Sequence, residues 1–133
     1  MVTKYSLEER IARMKELRKQ GYICSQCVAM VFDDIHGMSS ELTERLTSGF
    51  GGGIGGSGEV CGAVSAMVML DGCVNYINPS EKKELYAHVR NLCEKFKCAN
   101  GSLLCRDLRV PGKKTCNELI EEVITECHNE FFG

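Results

Sequence analysis

Apolar residues recur three and four positions apart along almost the whole chain, the period of helices with one face turned to a core. Ser6 followed by Leu7, Glu8 and Glu9 predicts a helix start, with Leu7, Ile11, Met14 and Leu17 on one stripe and Gly21 as the stop. Cys24, Val28, Val31 and Ile35, with Cys27 beside them, predict a second helix ending at Gly37. Ser39 or Ser40 caps a short helix carrying Leu42 and Leu46 as far as Gly49. The ten residues from Gly49 to Gly58 include seven glycines and predict loop. Small residues from about Glu59 to Leu70, with Cys61, Val64 and Val68 on alternate apolar faces, predict a helix buried on more than one side and ending near Gly72.

Pro79 and Ser80 open the longest helix, with Leu85, Val89, Leu92 and Phe96 toward the core, Lys82, Lys83, Glu84 and Glu94 toward water, and an end at Asn100-Gly101. Ser102 caps a turn or short helix through Leu108, and Pro111-Gly112 breaks the chain. The last helix runs from about Thr115, with Ile120, Val123, Ile124, Cys127 and Phe131 inward and Glu118, Glu121, Glu122, Glu126 and Glu130 outward. The expectation is an all-α, compact single domain over residues 1–133, a bundle of about six helices with a glycine-rich loop before a buried central helix.

A chain of 133 residues, 44% hydrophobic, can bury roughly 70% of its unfolded surface and does not need disulfides to fold, so its nine cysteines require another explanation. The 16 basic and 18 acidic side chains lack the basic excess that favours nucleic acid. No stretch approaches the roughly 20 apolar residues of a membrane span. The first twenty residues scatter six basic and three acidic side chains where a secretion signal would be apolar, which predicts a cytoplasmic protein. Structural disulfides are rare in a reducing compartment, and an odd number of cysteines cannot all pair within one chain. Metal ligation or redox chemistry is therefore the leading class. Charge is uneven, +3 over residues 1–20 and −5 over residues 117–133. Two solvated helix faces explain this, and a contact between the first and last helices, within one chain or across a homodimer, is the other reading.

Cys24, Cys27, Cys61, Cys73, Cys93, Cys98, Cys105, Cys116 and Cys127 are spread over most of the predicted helices. Cys24-Ser25-Gln26-Cys27 is the only close doublet, so neither the paired knuckles of a zinc module nor the packed run of a two-cluster ferredoxin is present. Any centre must be assembled from distant segments. The doublet could act alone as a dithiol, but nothing before it reads as the strand of a thioredoxin-like unit, and Cys27 also fits as a small buried hydrophobe. Cys127 continues the inward stripe of Val123 and is explained by packing, while Cys73, Cys93 and Cys98 read as accessory thiols. Cys61, Cys105 and Cys116 differ, because each follows a loop or cap where backbone N–H groups become available, an environment that favours thiolates and anionic clusters.

Gly51-Gly52-Gly53-Ile54-Gly55-Gly56 has the spacing of a dinucleotide fingerprint, but no strand precedes it and no phosphate-loop Lys-Ser or Lys-Thr follows. Gly51, Gly52 and Gly53 are instead candidates to bring bare N–H groups against a buried anion such as a sulfur cluster, or the tract is simply a packed loop. His36, His88 and His128 fit as ordinary helical side chains, although His88, between Leu85 and Leu92, could reach a site.

The order Gly21-Tyr22-Ile23-Cys24-Ser25-Gln26, Gly49-Phe50-Gly51-Gly52-Gly53-Ile54-Gly55, Glu59-Val60-Cys61-Gly62-Ala63-Val64, Cys105-Arg106-Asp107-Leu108 and Cys116 resembles the C_GCAxxG_C_C family, which is labelled for redox activity without an agreed reaction. The resemblance covers nearly the whole chain. It implies an all-helical domain whose signature cysteines are Cys24, Cys61, Cys105 and Cys116. Where the family reads Gly-Cys-Ala-x-x-Gly, this chain reads Val60-Cys61-Gly62-Ala63-Val64-Ser65, so local helix packing departs from the pattern while the cysteine is kept. A similar domain occurs in split-Soret cytochromes, which carry an iron–sulfur centre, but Cys27 is followed by Val28 and no haem-attachment sequence is present.

The first expectation is a redox or electron-transfer protein holding an iron–sulfur cluster or another soft metal, with Cys24, Cys61, Cys105 and Cys116 as ligands and Gly51, Gly52 and Gly53 donating N–H groups. A metal-free thiol–disulfide oxidoreductase built on the same residues is the second. A structural zinc domain acting as an interaction module is the third. The redox partner is unidentified in each case.

Overall fold

Among residues 2–133, which the structure, a computed structural model, describes, eight α-helices follow one another: α1 (Leu7–Lys19), α2 (Cys24–Met30), α3 (Asp33–His36), α4 (Ser40–Thr47), α5 (Gly62–Asn75), α6 (Lys82–Asn100), α7 (Cys105–Leu108) and α8 (Cys116–Phe132). Single 3-10 turns cover Ser48–Phe50 and Pro79–Glu81. The domain is all-α, and none of its described helices is long and apolar enough to cross a membrane. Helix α2 is central: Ser25 to Met30 are all buried, and it packs on α4, α5 and α8. Helix α5 is covered by α2, α6 and α8, with Ala63, Val64, Ala66, Met67 and Leu70 at most 1% exposed.

The helix starts follow from local chemistry. In α1 the Glu9 N–H donates to Ser6 Oγ at 3.1 Å while the Ser6 N–H donates to the Glu9 carboxylate at 2.9 Å, and Thr115 with Glu118 repeats the arrangement at α8. The single helix expected from Cys24 to Gly37 is divided into α2 and α3. No glycine or proline causes the break: the Val31 carbonyl accepts from the buried Arg10 guanidinium, and the Ile35 N–H turns to the Phe32 carbonyl. The helix expected from Glu59 starts instead at Gly62, because the Cys61 N–H is taken by the Leu103 carbonyl, and packing on both sides carries it past Gly72 to Asn75. In α4 it is Thr43 and Thr47 that are buried, while Leu42 and Leu46 are 45% and 54% exposed. The two hydroxyls donate to the Ser39 and Thr43 carbonyls, and Ser25 and Gln26 fasten α4 to α2 through the Thr47 and Glu44 carbonyls.

Helix α1 does pack on α8, but not by opposite charge. Arg10 Nε and Arg18 Nε donate to His128 Nδ1 at 3.0 Å and Asn117 Oδ1 at 2.7 Å. Three acids of α8 are paired elsewhere, Glu122 with Lys114, and Glu126 and Glu130 with Lys95.

His88 on α6 ties three helices together. Its Nδ1 lies 2.7 Å from Asp71 of α5, whose side chain is 0% exposed, and its Nε2 lies 2.7 Å from Glu130 of α8. The Asp71 hydrogen bond raises the His88 pKa, burial opposes it, and the Glu130 hydrogen bond adds to the rise. A raised folded-state value means that this contribution to stability is complete below the ordinary histidine range and is lost as pH rises through the folded value. His88→Ala leaves Asp71 with Asn75 Nδ2 as its remaining side-chain partner and is expected to cost about 1–3 kcal/mol at pH 6. Urea midpoints of the two proteins should draw closer at pH 9, and a gap unchanged between the two pH values would contradict a charged His88.

Candidate functional site

Cys24, Cys105 and Cys116 are the first residues of α2, α7 and α8, and Cys61 is the residue that caps α5. Four thiols, each predicted from sequence, thus stand at four helix starts, where backbone N–H groups lack helical partners and the helix dipole favours negative charge. Cys61 and Cys105 are 6% and 8% exposed, whereas Cys24 and Cys116 are half-buried.

Backbone pairing holds two of these cysteine-bearing segments together. Residues 58–61 and 103–106 run antiparallel, bridged at Val60 and Leu104. The Cys61 N–H donates to the Leu103 carbonyl at 2.8 Å, and the Cys105 N–H to the Glu59 carbonyl at 2.7 Å. Arg106 reinforces this pairing from outside, its Nε on the Gly58 carbonyl and its Nη2 on Glu59, each at 3.1 Å. Cys24 closes the other wall: a Cβ on Gly62 would stand 2.6 Å from Cys24 Sγ and 2.8 Å from the Phe50 carbonyl oxygen. Gly62 stands where the pattern of the resembled family has alanine. The bare backbone at that position lets the Cys24 sulfur lie against the start of α5.

Electrostatics links the four sulfurs. Burial pushes the Cys61 thiol up to about 11; the Ala63 and Val64 N–H groups at the start of α5 favour its thiolate, and the neighbouring charges of Cys24 and Cys105 oppose it. Arg109, the residue that ends α7, has its pKa raised first by the charge of Cys116, then by Cys105, and then by Cys24. The thiolate forms of three of the four cysteines therefore favour the charged guanidinium. The sequence reading passed over Arg109, although its position four residues after Cys105 puts the two on one face of α7.

The glycine tract presses against the segments that carry Cys24 and Cys105. Gly52, Gly53, Ile54, Gly55 and Gly56 are successive left-handed residues, and the N–H groups of residues 54–59 donate to a ladder of the carbonyls of residues 49–54. The N–H groups of Gly51, Gly52 and Gly53, the three expected to face a bound group, stand outside that ladder. Their lack of side chains also serves close packing. A Cβ would meet Ile23 at Gly51, the Gly56 backbone at Gly52, and both the Glu59 backbone and Cys105 Cβ at Gly53.

The other thiols stand apart. Cys27 is 0% exposed, its Sγ donates to the Tyr22 carbonyl at 3.7 Å, and burial lifts its pKa to about 11, which is the profile of a core residue rather than of a dithiol partner for Cys24. Cys127 is fully buried and its pKa is raised by that burial. Cys93 is half-buried, and Cys73 and Cys98 are exposed on α5 and α6.

Four soft thiolates suit iron–sulfur, zinc or Cu(I). As placed, no three Cys, His, Asp or Glu side chains among the described residues stand close enough to hold one metal ion, so ligation would require the sulfurs to draw together.

The family model described as "Putative redox-active protein (C_GCAxxG_C_C)" matches residues 22–129, and the chain belongs to that family. No curated protein and no solved structure matches it.

Proposed function

We propose that this redox-active chain exchanges electrons through the thiols of Cys24, Cys61, Cys105 and Cys116, cycling between dithiol and disulfide. The observation that supports this reading is that all four cysteines stand at helix starts, with Cys61 and Cys105 on the two segments bridged at Val60 and Leu104 and the Cys24 sulfur against Gly62 at the start of α5. Exposure divides their roles. Half-buried Cys116 is the entry thiol, and buried Cys105 resolves it. The Cys116 thiolate attacks a disulfide R–S–S–R, the substrate S–S bond breaks, and RS⁻ leaves. The Cys105 thiolate then attacks the mixed disulfide and expels the second RS⁻, so two electrons pass to the substrate while two protons pass from the protein thiols to the products. Cys61, whose pKa stands at about 11, is a protonated reserve at neutral pH.

The sulfur donor set supports a second reading, in which the same four residues close on an iron–sulfur cluster or another soft metal and Gly51, Gly52 and Gly53 supply N–H groups to it. A bound centre of that kind would carry the electron itself. Zinc that leaves only on unfolding would mark a structural role instead.

Anaerobic purification followed by metal and acid-labile sulfide analysis, then oxidation and mass measurement of the intact chain, tests the proposal. The expected result is metal-free protein that loses two hydrogens per disulfide formed, with the fastest-forming disulfide absent in the Cys105→Ser/Cys116→Ser variant. Stoichiometric iron and sulfide in wild type, lost from that variant, would move the function to the metal reading.

A further inference from the structure

Helix α4 turns its apolar side chains away from the core. Thr43 and Thr47 are 0% and 1% exposed, whereas Leu42 and Leu46, one turn apart, stand in solvent, and Phe50 and Ile54 are the next exposed large apolar side chains along the chain. A single exposed leucine is ordinary, but a row of two on an eight-residue helix, bordered by exposed Glu41, Arg45 and Ser48, has the make-up of a contact surface. Glu41 and Arg45 each precede one of the leucines, so both lie on the same flank of the Leu42–Leu46 row. The other flank is Thr43 and Thr47, buried within the chain itself, where α4 packs on α2. The side chains of Glu41 and Arg45 take part in none of the ion pairs among the described residues.

We propose that the outer face of α4 binds a second copy of this chain, with the two α4 helices antiparallel about a two-fold axis. Charge selects this partner and this direction. In an antiparallel pair each flank of an apolar row meets the same flank of the partner helix run in reverse, so Glu41 falls opposite the partner's Arg45 and Arg45 opposite the partner's Glu41. A parallel pair would instead set the charged flank against the threonine flank, which is closed by the chain's own core. The surface thus complements itself, as an interface between identical copies about a two-fold axis must. Eight helical residues span only about 12 Å, so the contact falls short of the roughly 1,200 Å² of a stable interface and the dimer is reversible and concentration-dependent. Association of this kind requires none of the thiol chemistry above.

Sedimentation equilibrium of the full chain over a wide concentration range, in excess reductant so that no disulfide-linked pair contributes, tests the proposal. A monomer–dimer equilibrium is expected. Leu42→Ser/Leu46→Ser should weaken it by more than about a hundredfold, because two leucines from each copy leave the interface. Its urea midpoint should stay near wild type, since both side chains are exposed in the monomer. Glu41→Arg should weaken association by about tenfold, by setting Arg against Arg at both ends, and Glu41→Arg/Arg45→Glu should restore most of it, because opposite charges face each other again. Monomer at every concentration would overturn the second-copy proposal and leave the face to a different protein. A dimer that persists in the leucine variant, or a charge exchange that fails to rescue Glu41→Arg, would overturn it as well.

Discussion

Arg10→Met is expected to destabilise the fold by about 3–5 kcal/mol, a large part of the roughly 5–15 kcal/mol that holds a domain of this size together. The Arg10 side chain is 0% exposed and its partner Asp34 1%, with Nη2 to Oδ2 at 2.7 Å. The guanidinium also donates to the Val31 carbonyl, Thr3 Oγ1 and His128 Nδ1, and stacks 4.3 Å from the centre of the Phe32 ring. It thereby joins α1, the α2–α3 break and α8. Methionine replaces the volume but leaves a carboxylate buried without its cation. Burial pushes Asp34 up, yet the Arg10 hydrogen bonds and the Lys4 N–H outweigh it and hold the pKa below the usual carboxylate range. The stability this supplies is present above the ordinary aspartate pKa and disappears as pH falls through the lower folded value. Urea unfolding at pH 7 measures the loss. Arg10→Met/Asp34→Asn should recover part of it, because no charge is then stranded, and equal midpoints for the single and double variants would show that the buried charge is not the cause.

Arg10 also illustrates where the sequence could be read and where it could not. On the helical pattern it falls beside the stripe of Leu7, Ile11 and Met14, and only the fold shows that it reaches a carbonyl and a carboxylate more than twenty residues away. The 3.6-residue period was enough to locate α1, α6 and α8, because packing on one face is what that period records. It misjudged α4, whose buried face is threonine, since a threonine hydroxyl can satisfy itself on its own helix and pass as apolar. It also ran α2 and α3 together, because the break is made by a side chain from another helix. Cys61, Cys105 and Cys116 were legible as helix-start cysteines, and Cys24 joined them by family resemblance. The bridge of Val60 with Leu104 depends on loops whose path no local pattern specifies.

Gly53→Ala should have the largest effect of any single methyl group added near the pocket. Gly53 is buried at φ +76°, and a Cβ there would overlap the Glu59 backbone and lie 2.9 Å from Cys105 Cβ. Left-handed backbone costs alanine roughly 1–2 kcal/mol, and overpacking adds about 1–3 kcal/mol. Ile54 and Gly55 separate the two costs. Ile54 adopts φ 62° with a side chain 45% exposed, so the tract accepts a left-handed side chain that points outward. Gly55→Ala, at φ +60° with open space around it, should therefore cost only the backbone part. The consequence of Gly53→Ala reaches the sulfurs, because the Glu59 carbonyl that must move accepts the Cys105 N–H, and the Glu59 N–H donates to the Gly53 carbonyl. Displacing Glu59 loosens the pairing that sets Cys105 beside Cys61, so alkylation of Cys105 should accelerate in Gly53→Ala and stay near wild type in Gly55→Ala. Urea midpoints and mass-resolved alkylation of the two variants decide the matter. Equal behaviour would mean that glycine at position 53 serves the turn alone, and that the tract does not hold the pocket in register.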